Sequence, residues 1–231
     1  MKKILIALFA WGAISLPSVA EDYWVTQYRA APGKFPALLE LVKSTDWSKM
    51  GEPRPIMMRH SQGNHWDLML LGQHTANCTK NAACEKAMSN FSEKTNVLAD
   101  FELSFLATSP TSWAQLSELN TDSGFYHIEM FQAAAGKHKA LDRQRHIEND
   151  YIEKIGQQAN AVFNVTFGSD MDIFTIGFYR DMAHFAESPD LTNEEFEVAA
   201  IEAGFKNRAD ISFHLRELIV GHQDTLAVKV K

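Results

Sequence analysis

The chain has 231 residues, 45% of them hydrophobic and 22% charged, with only 12 Gly and 7 Pro, a composition that excludes disordered, collagenous and low-complexity proteins. Its formal charge of −7 offers no basic field to a phosphate backbone or an anionic membrane surface, so no nucleic acid partner is expected. The N-terminus places Met1, Lys2 and Lys3 before an apolar run from Ile4 to Leu16, followed by Pro17, Ser18, Val19 and Ala20. Basic start, apolar core and small-residue end form a secretory signal over residues 1–20. That run is shorter than the roughly 20 residues a bilayer crossing needs, so the expectation is a periplasmic or secreted protein with no membrane partner once the signal is removed.

Val25 to Tyr28 alternates and is rich in β-branched and aromatic residues, the signature of a strand. Ala30-Ala31-Pro32-Gly33-Lys34 then breaks it, and Phe35, Leu38, Leu39 and Val42 recur at helical spacing. Pro55 to His60 and Trp66 to Leu71 are apolar runs joined by Ser61 to Asn64, which reads as a hairpin with Gly63 at its turn. Helical sequence is expected from Cys84 to about Leu103, and a short strand near Ser112 to Leu116. Further on come Ala161 to Phe167, a turn at Gly168 to Asp170, Asp172 to Tyr179, helical sequence from Asn193 to about Val220, and a last strand from Thr225 to Val230. Cys78 and Cys84, six positions apart in an oxidising compartment, favour a disulfide over free or metal-bound thiols.

The order repeats because the sequence does. Tyr23 to Lys34 (YWVTQYRAAPGK) is echoed by Tyr126 to Lys137 (YHIEMFQAAAGK), and Gly63, Asp67, Leu68 and Gly72 by Gly168, Asp172, Ile173 and Gly177. A weaker echo pairs Ala99-Asp100 with Ala209-Asp210. The expectation is an α+β protein of two tandem ferredoxin-like βαββαβ units, 21–122 and 123–231, each covering the other's bare sheet face in an internal α/β barrel.

The strand ending in Tyr28-Arg-Ala-Ala-Pro-Gly-Lys-Phe35 and running into an amphipathic helix resembles the opening of the dimeric α/β-barrel superfamily, especially its NIPSNAP-like and antibiotic-biosynthesis-monooxygenase-like branches. That resemblance implies the barrel fold and a small-molecule site. The superfamily's activities include cofactor-free monooxygenation, isomerisation, and haem binding or degradation. The Asn, Trp and His set of haem-degrading members is not matched, nor is a proximal-ligand motif, so no site residue is carried over.

Three polar groupings carry candidate chemistry. His127, Glu129 and Phe131 share one face of a strand, as do Trp24, Thr26 and Tyr28 in the first copy. His127 and Glu129 are the candidate catalytic pair, since a carboxylate can raise imidazole basicity for proton abstraction. Trp24, Tyr28 and Arg59 are candidate substrate contacts. His138, Asp142 and His146 recur every four residues, but the two histidines sit roughly 12 Å apart along a helix, and interleaved Lys139, Arg143 and Arg145 point to a solvated face. His60 and His65 could face each other across their turn, with too few ligands for a metal. Asp67 and Asp172, present in both copies, should accept backbone N–H bonds at the hairpins. Phosphate-loop, nucleophile-elbow and zinc-type spacings are missing from the sequence, so no cofactor and no metal are expected. The resulting expectation is an exported protein that binds a small hydrophobic organic molecule, with a non-catalytic ligand- or haem-binding protein or an interaction module as the alternative. The sequence leaves both enzymatic activity and oligomeric state open.

Overall fold

The computed structural model describes residues 20–75, 78 and 81–231; apart from Ala20, the expected leader lies outside the described residues. The chain runs β1 (Glu21–Ala30), α1 (Phe35–Ser44), a 3-10 turn (Trp47–Met50), β2 (Ile56–Gln62), β3 (Leu68–Gln73), α2 (Ala82–Asn96), β4 (Ala99–Ser109) and α3 (Trp113–Asp122). It continues with β5 (Phe125–Ala133), α4 (His138–Lys154), β6 (Ala161–Phe167), β7 (Ile173–Tyr179), α5 (Met182–Ala186), α6 (Asn193–Ala203), α7 (Asp210–Arg216) and β8 (Ile219–Lys229).

The eight strands close in the order β1-β3-β2-β8-β5-β7-β6-β4, every pairing antiparallel. Each half contributes one ferredoxin-like sheet, β4-β1-β3-β2 and β8-β5-β7-β6, and the two meet along the β2·β8 and β4·β6 seams. Closure leaves no sheet edge open. The inward faces share one core, in which Tyr23 meets Phe163 edge-on at 5.4 Å, Phe105 meets Phe174 at 5.8 Å, and Phe163 stacks on Phe174 at 4.5 Å. Helix α3 sends Leu116 into the same cluster.

The repeat is visible down to single hydrogen bonds. Asp67 Oδ2 accepts the Ala30 N–H and Asp172 Oδ2 accepts the Ala133 N–H, both at 2.7 Å, where β1 and β5 each carry a register shift. Gly33 and Gly136 both take positive φ, 75° and 74°. At the hairpin tips, a Cβ on Gly63 would lie 2.1 Å from the Asp224 carbonyl oxygen, and one on Gly168 2.7 Å from that of Ser104. Each tip is thus pressed against the last strand of the other unit, which only glycine permits.

Four expectations are corrected. The region near Ser112 to Leu116 is the start of α3 and not a strand, because Ser112 and Gln115 form a capping box: Ser112 Oγ accepts the Gln115 N–H and Gln115 Oε1 accepts the Ser112 N–H. The closing strand of the first unit is β4, where Phe101, Leu103 and Phe105 alternate with Glu102, Ser104 and Leu106, so α2 stops at Asn96. The second unit likewise begins its last strand earlier than expected, at Ile219. The echo of Ala99-Asp100 in Ala209-Asp210 is not structural. Ala99 pairs with Ala30 in β4, the position Ile219 takes opposite Ala133, whereas Asp210 opens α7.

Candidate functional site

The outer face of each sheet lies beneath its own helices, and there the two copies differ. In the first unit, Trp24, Thr26 and Tyr28 of β1 project under α2 and border a cavity of about 480 Å³. Its wall is aromatic: Trp24 stacks with Trp47 at 5.9 Å, and Trp47 meets Phe91 of α2 edge-on at 5.2 Å. The Trp24 indole has room because Gly72 stands opposite it in the ladder; a Cβ there would lie 2.2 Å from the ring. Leu70, Met50 and Met88 complete the apolar lining, and Cys78 brings the Cys78–Cys84 disulfide to its edge.

Polar groups in this cavity are unevenly satisfied. Trp47 Nε1 and Glu52 Oε2 are buried without a hydrogen-bond partner. Burial pushes the Glu52 carboxyl above the usual carboxylate range, although Thr75, His74 and the Trp24 indole pull the other way. Burial raises the Tyr28 phenol strongly, and Glu102 adds to the effect. Among the described residues, the lining includes the carboxyl groups of Glu52 and Glu102, and neither Lys nor Arg.

In the second unit the equivalent face holds charges instead. His127 Nε2 lies 3.1 Å from Asp224 Oδ1, and His222 Nε2 lies 3.4 Å from Glu129 Oε1 and 3.6 Å from Asp224 Oδ1. His127 and Glu129 therefore share a face and a cluster, but each is held by a residue of β8. Thr175 Oγ1 donates to Glu129 Oε2 at 3.3 Å. Arg145 of α4 is 2% exposed; it reaches Glu129 Oε2 at 3.8 Å, contacts Glu148, and lies 4.5 Å over the Phe131 ring. Burial would raise the Glu129 pKa, but the hydrogen bond from His222 and the Arg145 charge outweigh it and hold the carboxyl below its usual range. The bond to Glu129 raises the His222 imidazole, and the bond from His127 lowers Asp224. Glu148 is pushed up, chiefly by burial.

Of the residues singled out from the sequence, Trp24 and Tyr28 line the first cavity. Arg59 is exposed on β2, paired with Leu68 and Val228, and joins neither site. His60 packs against Trp66 while His65 packs against Phe101 and contacts Asn64, so the two imidazoles do not pair. His146 and Asp142 lie on a part-exposed helix face, 3.7 Å apart. Arg145 does not share that solvated face. It follows Leu141 by four positions and precedes Glu148 and Tyr151 at helical spacing, so it belongs to the buried stripe. That spacing was the available signal for Arg145 and Glu148. Glu52 follows the 3-10 turn and Gly51, and nothing in its local pattern sets it apart. His222 and Asp224 had a signal in the two-residue period of the last strand.

No protein-family profile matches this sequence, and no curated protein matches it. Solved structures do. An anthrone oxidase-like protein superposes with a TM-score of 0.57 at 9% identity, covering 92% of each chain. A monooxygenase-like protein of Fusobacterium nucleatum gives 0.54 at 12% identity, over 92% of this chain and 93% of that one. A chlorite dismutase variant from Candidatus Nitrospira defluvii gives 0.52 at 12%, over 91% and 92%. At these identities the likeness establishes the shared dimeric α/β-barrel fold, here as an internal pair.

Proposed function

We propose that this tandem α/β barrel is an exported protein that binds a small, mainly apolar organic molecule beneath α2 of its first unit. The observation that carries this reading is the pairing of an aromatic cavity of about 480 Å³ with two buried polar atoms, Trp47 Nε1 and Glu52 Oε2, that have no protein partner. An apolar pocket with a few convergent polar groups is the usual form of a small-molecule site, and a ligand offering one acceptor and one donor would satisfy both atoms. Two carboxyl groups without a cation favour a neutral or cationic ligand over an anion. The raised Glu52 carboxyl is also placed to exchange a proton with a bound phenol or carbon acid. Export is supported by the leader-like N-terminus and by the Cys78–Cys84 disulfide.

Haem, implied by some proteins of this fold, does not fit. Among the described residues, the lining of the first cavity includes no Lys or Arg to pair with propionates, and its one imidazole, His74, is exposed. In the second unit Arg145 lies over Phe131 and beside Glu129 on the outer sheet face, and the imidazoles are engaged by carboxylates.

Titrating the purified protein calorimetrically with 1-naphthol and with its anionic analogue 1-naphthoate tests the reading. Saturable naphthol binding, about tenfold or more tighter than naphthoate, is expected, and it should be lost when Ser92→Phe, at a position of α2 that lines the cavity, fills it. Preference for the carboxylate, or binding that survives Ser92→Phe, overturns it.

A further inference from the structure

The second unit presents a different arrangement, independent of the first cavity. The internal repeat acts as its control. In the ladders, Trp24 stands opposite Leu106, Thr26 opposite Ser104 and Tyr28 opposite Glu102; the corresponding pairs are His127 with Leu226, Glu129 with Asp224 and Phe131 with His222. Four positions occupied by Trp24, Thr26, Ser104 and Glu102 in one copy are thus His127, Glu129, Asp224 and His222 in the other. In the first copy the central pair is a hydroxyl–hydroxyl contact, Thr26 Oγ1 to Ser104 Oγ at 2.9 Å. In the second, every position carries a metal-ligating side chain.

We infer that His127, Glu129, Asp224 and His222 form a binding site for a divalent transition-metal ion on the outer face of the β5–β8 pair. One donor atom each from His127, Glu129 and Asp224 lies within 4.8 Å of the others. His127 Nε2 lies 3.1 Å from Asp224 Oδ1, and His222, outside that mutually close set, adjoins it at 3.4 Å from Glu129 Oε1 and 3.6 Å from Asp224 Oδ1. Tetrahedral bonds of about 2.0–2.1 Å separate neighbouring donors by about 3.3 Å, so an ion seated on His127, Glu129 and Asp224 would draw in the His222 imidazole by side-chain movement. Two imidazoles with two carboxylates suit zinc, cobalt, nickel or iron(II) better than magnesium or calcium, which prefer oxygen donors throughout.

The surroundings fit this assignment. Glu129 directs Oε1 toward His222 and leaves Oε2 to Thr175 and Arg145, an outer layer that fixes the carboxylate's orientation. Phe131 stacks on the His222 ring at 4.7 Å with an interplanar angle of 7°. Glu129 and Glu148 both contact Arg145, and Asp224 adds a third carboxylate beside the imidazoles, so a dication is electrostatically acceptable despite that arginine. The side chains of His127, His222 and Asp224 are 22, 31 and 56% exposed, which gives an ion a way in and solvent a place in its coordination shell.

The test uses the full chain after dialysis against a chelator. Titration with zinc chloride at pH 7.5 should give one site of micromolar or tighter affinity, and cobalt should give a ligand-field spectrum displaced by zinc. His127→Ala and His222→Ala should each weaken zinc binding at least tenfold, while His138→Ala leaves it unchanged; Asp224→Asn, at the most exposed position, serves if a histidine variant does not fold. Absence of one-to-one binding, affinity for magnesium equal to that for zinc, or zinc binding that survives His222→Ala and Asp224→Asn overturns the site.

Discussion

At the scale of single residues, the repeat separates structural groups from specialised ones. Asp67 and Asp172 each accept a backbone N–H at the bulge of the neighbouring strand, in a part-buried setting where the freed amide would have no ready replacement. Asp67→Ala and Asp172→Ala should each lower unfolding free energy by about 1–3 kcal/mol in urea titrations, with similar losses in the two units. Glu52 is the opposite case, a carboxyl with an unsatisfied oxygen. Because folding raises its pKa, the folded state holds its proton more tightly than the unfolded one, and stability falls as pH rises from the ordinary carboxylate value through the raised one. Glu52→Gln removes that loss. The variant should match the parent in denaturant melts at pH 4 and exceed it at pH 8, by less than about 1 kcal/mol since solvent screens part of the charge.

At the scale of elements, the helices over the two sheets cover different contents: α4 is the counterpart of α1, and α6 with α7 takes the place of α2. Helix α2 is pinned at its start by Asn81, whose Oδ1 accepts the N–H groups of Ala83 and Cys84, and by the disulfide to Cys78. Closing so short a loop constrains the unfolded chain only modestly. Cys78→Ser with Cys84→Ser should therefore cost about 2 kcal/mol or less, and should weaken naphthol binding more than it weakens the fold, because the bridge borders the cavity. Calorimetry and thermal melts on the same double variant separate the two effects. Helix α4 instead lowers Arg145 onto the sheet between two carboxylates. Its stripe of Leu141, Gln144, Arg145, Glu148 and Tyr151 has ordinary helical spacing with polar residues at its centre. Its charged composition alone suggests a solvated surface, and the spacing alone identifies the face that is buried.

At the scale of the whole molecule, neither sheet has a complete core of its own. Tyr23 and Phe105 of the first unit pack on Phe163 and Phe174 of the second, and Gln27 donates to Met130 Sδ at 3.4 Å inside the barrel. The chain should unfold in one transition, with tryptophan fluorescence, weighted to the first unit, and far-ultraviolet circular dichroism coinciding in urea. Phe174→Ala should shift both signals together by about 3–5 kcal/mol. Separate transitions for the two halves would contradict the shared core.

The duplication, the strand–helix–hairpin order and the structural aspartates were legible in the sequence, because each depends on local spacing and on similarity between two stretches of one chain. The helix at Trp113 was also written locally, in the Ser112–Gln115 capping box, although apolar alternation obscures it. Other features were settled only by tertiary structure. Closure of the barrel at β2·β8 and β4·β6 brings together strands far apart in the chain. The cavity under α2 and the burial of Glu52 depend on how far a helix stands from a sheet, a distance no sequence period encodes. The meeting of His127 and Glu129 with His222 and Asp224 depends on the register of β5 against β8: a one-residue slip would turn one pair to the opposite face and leave the other without partners.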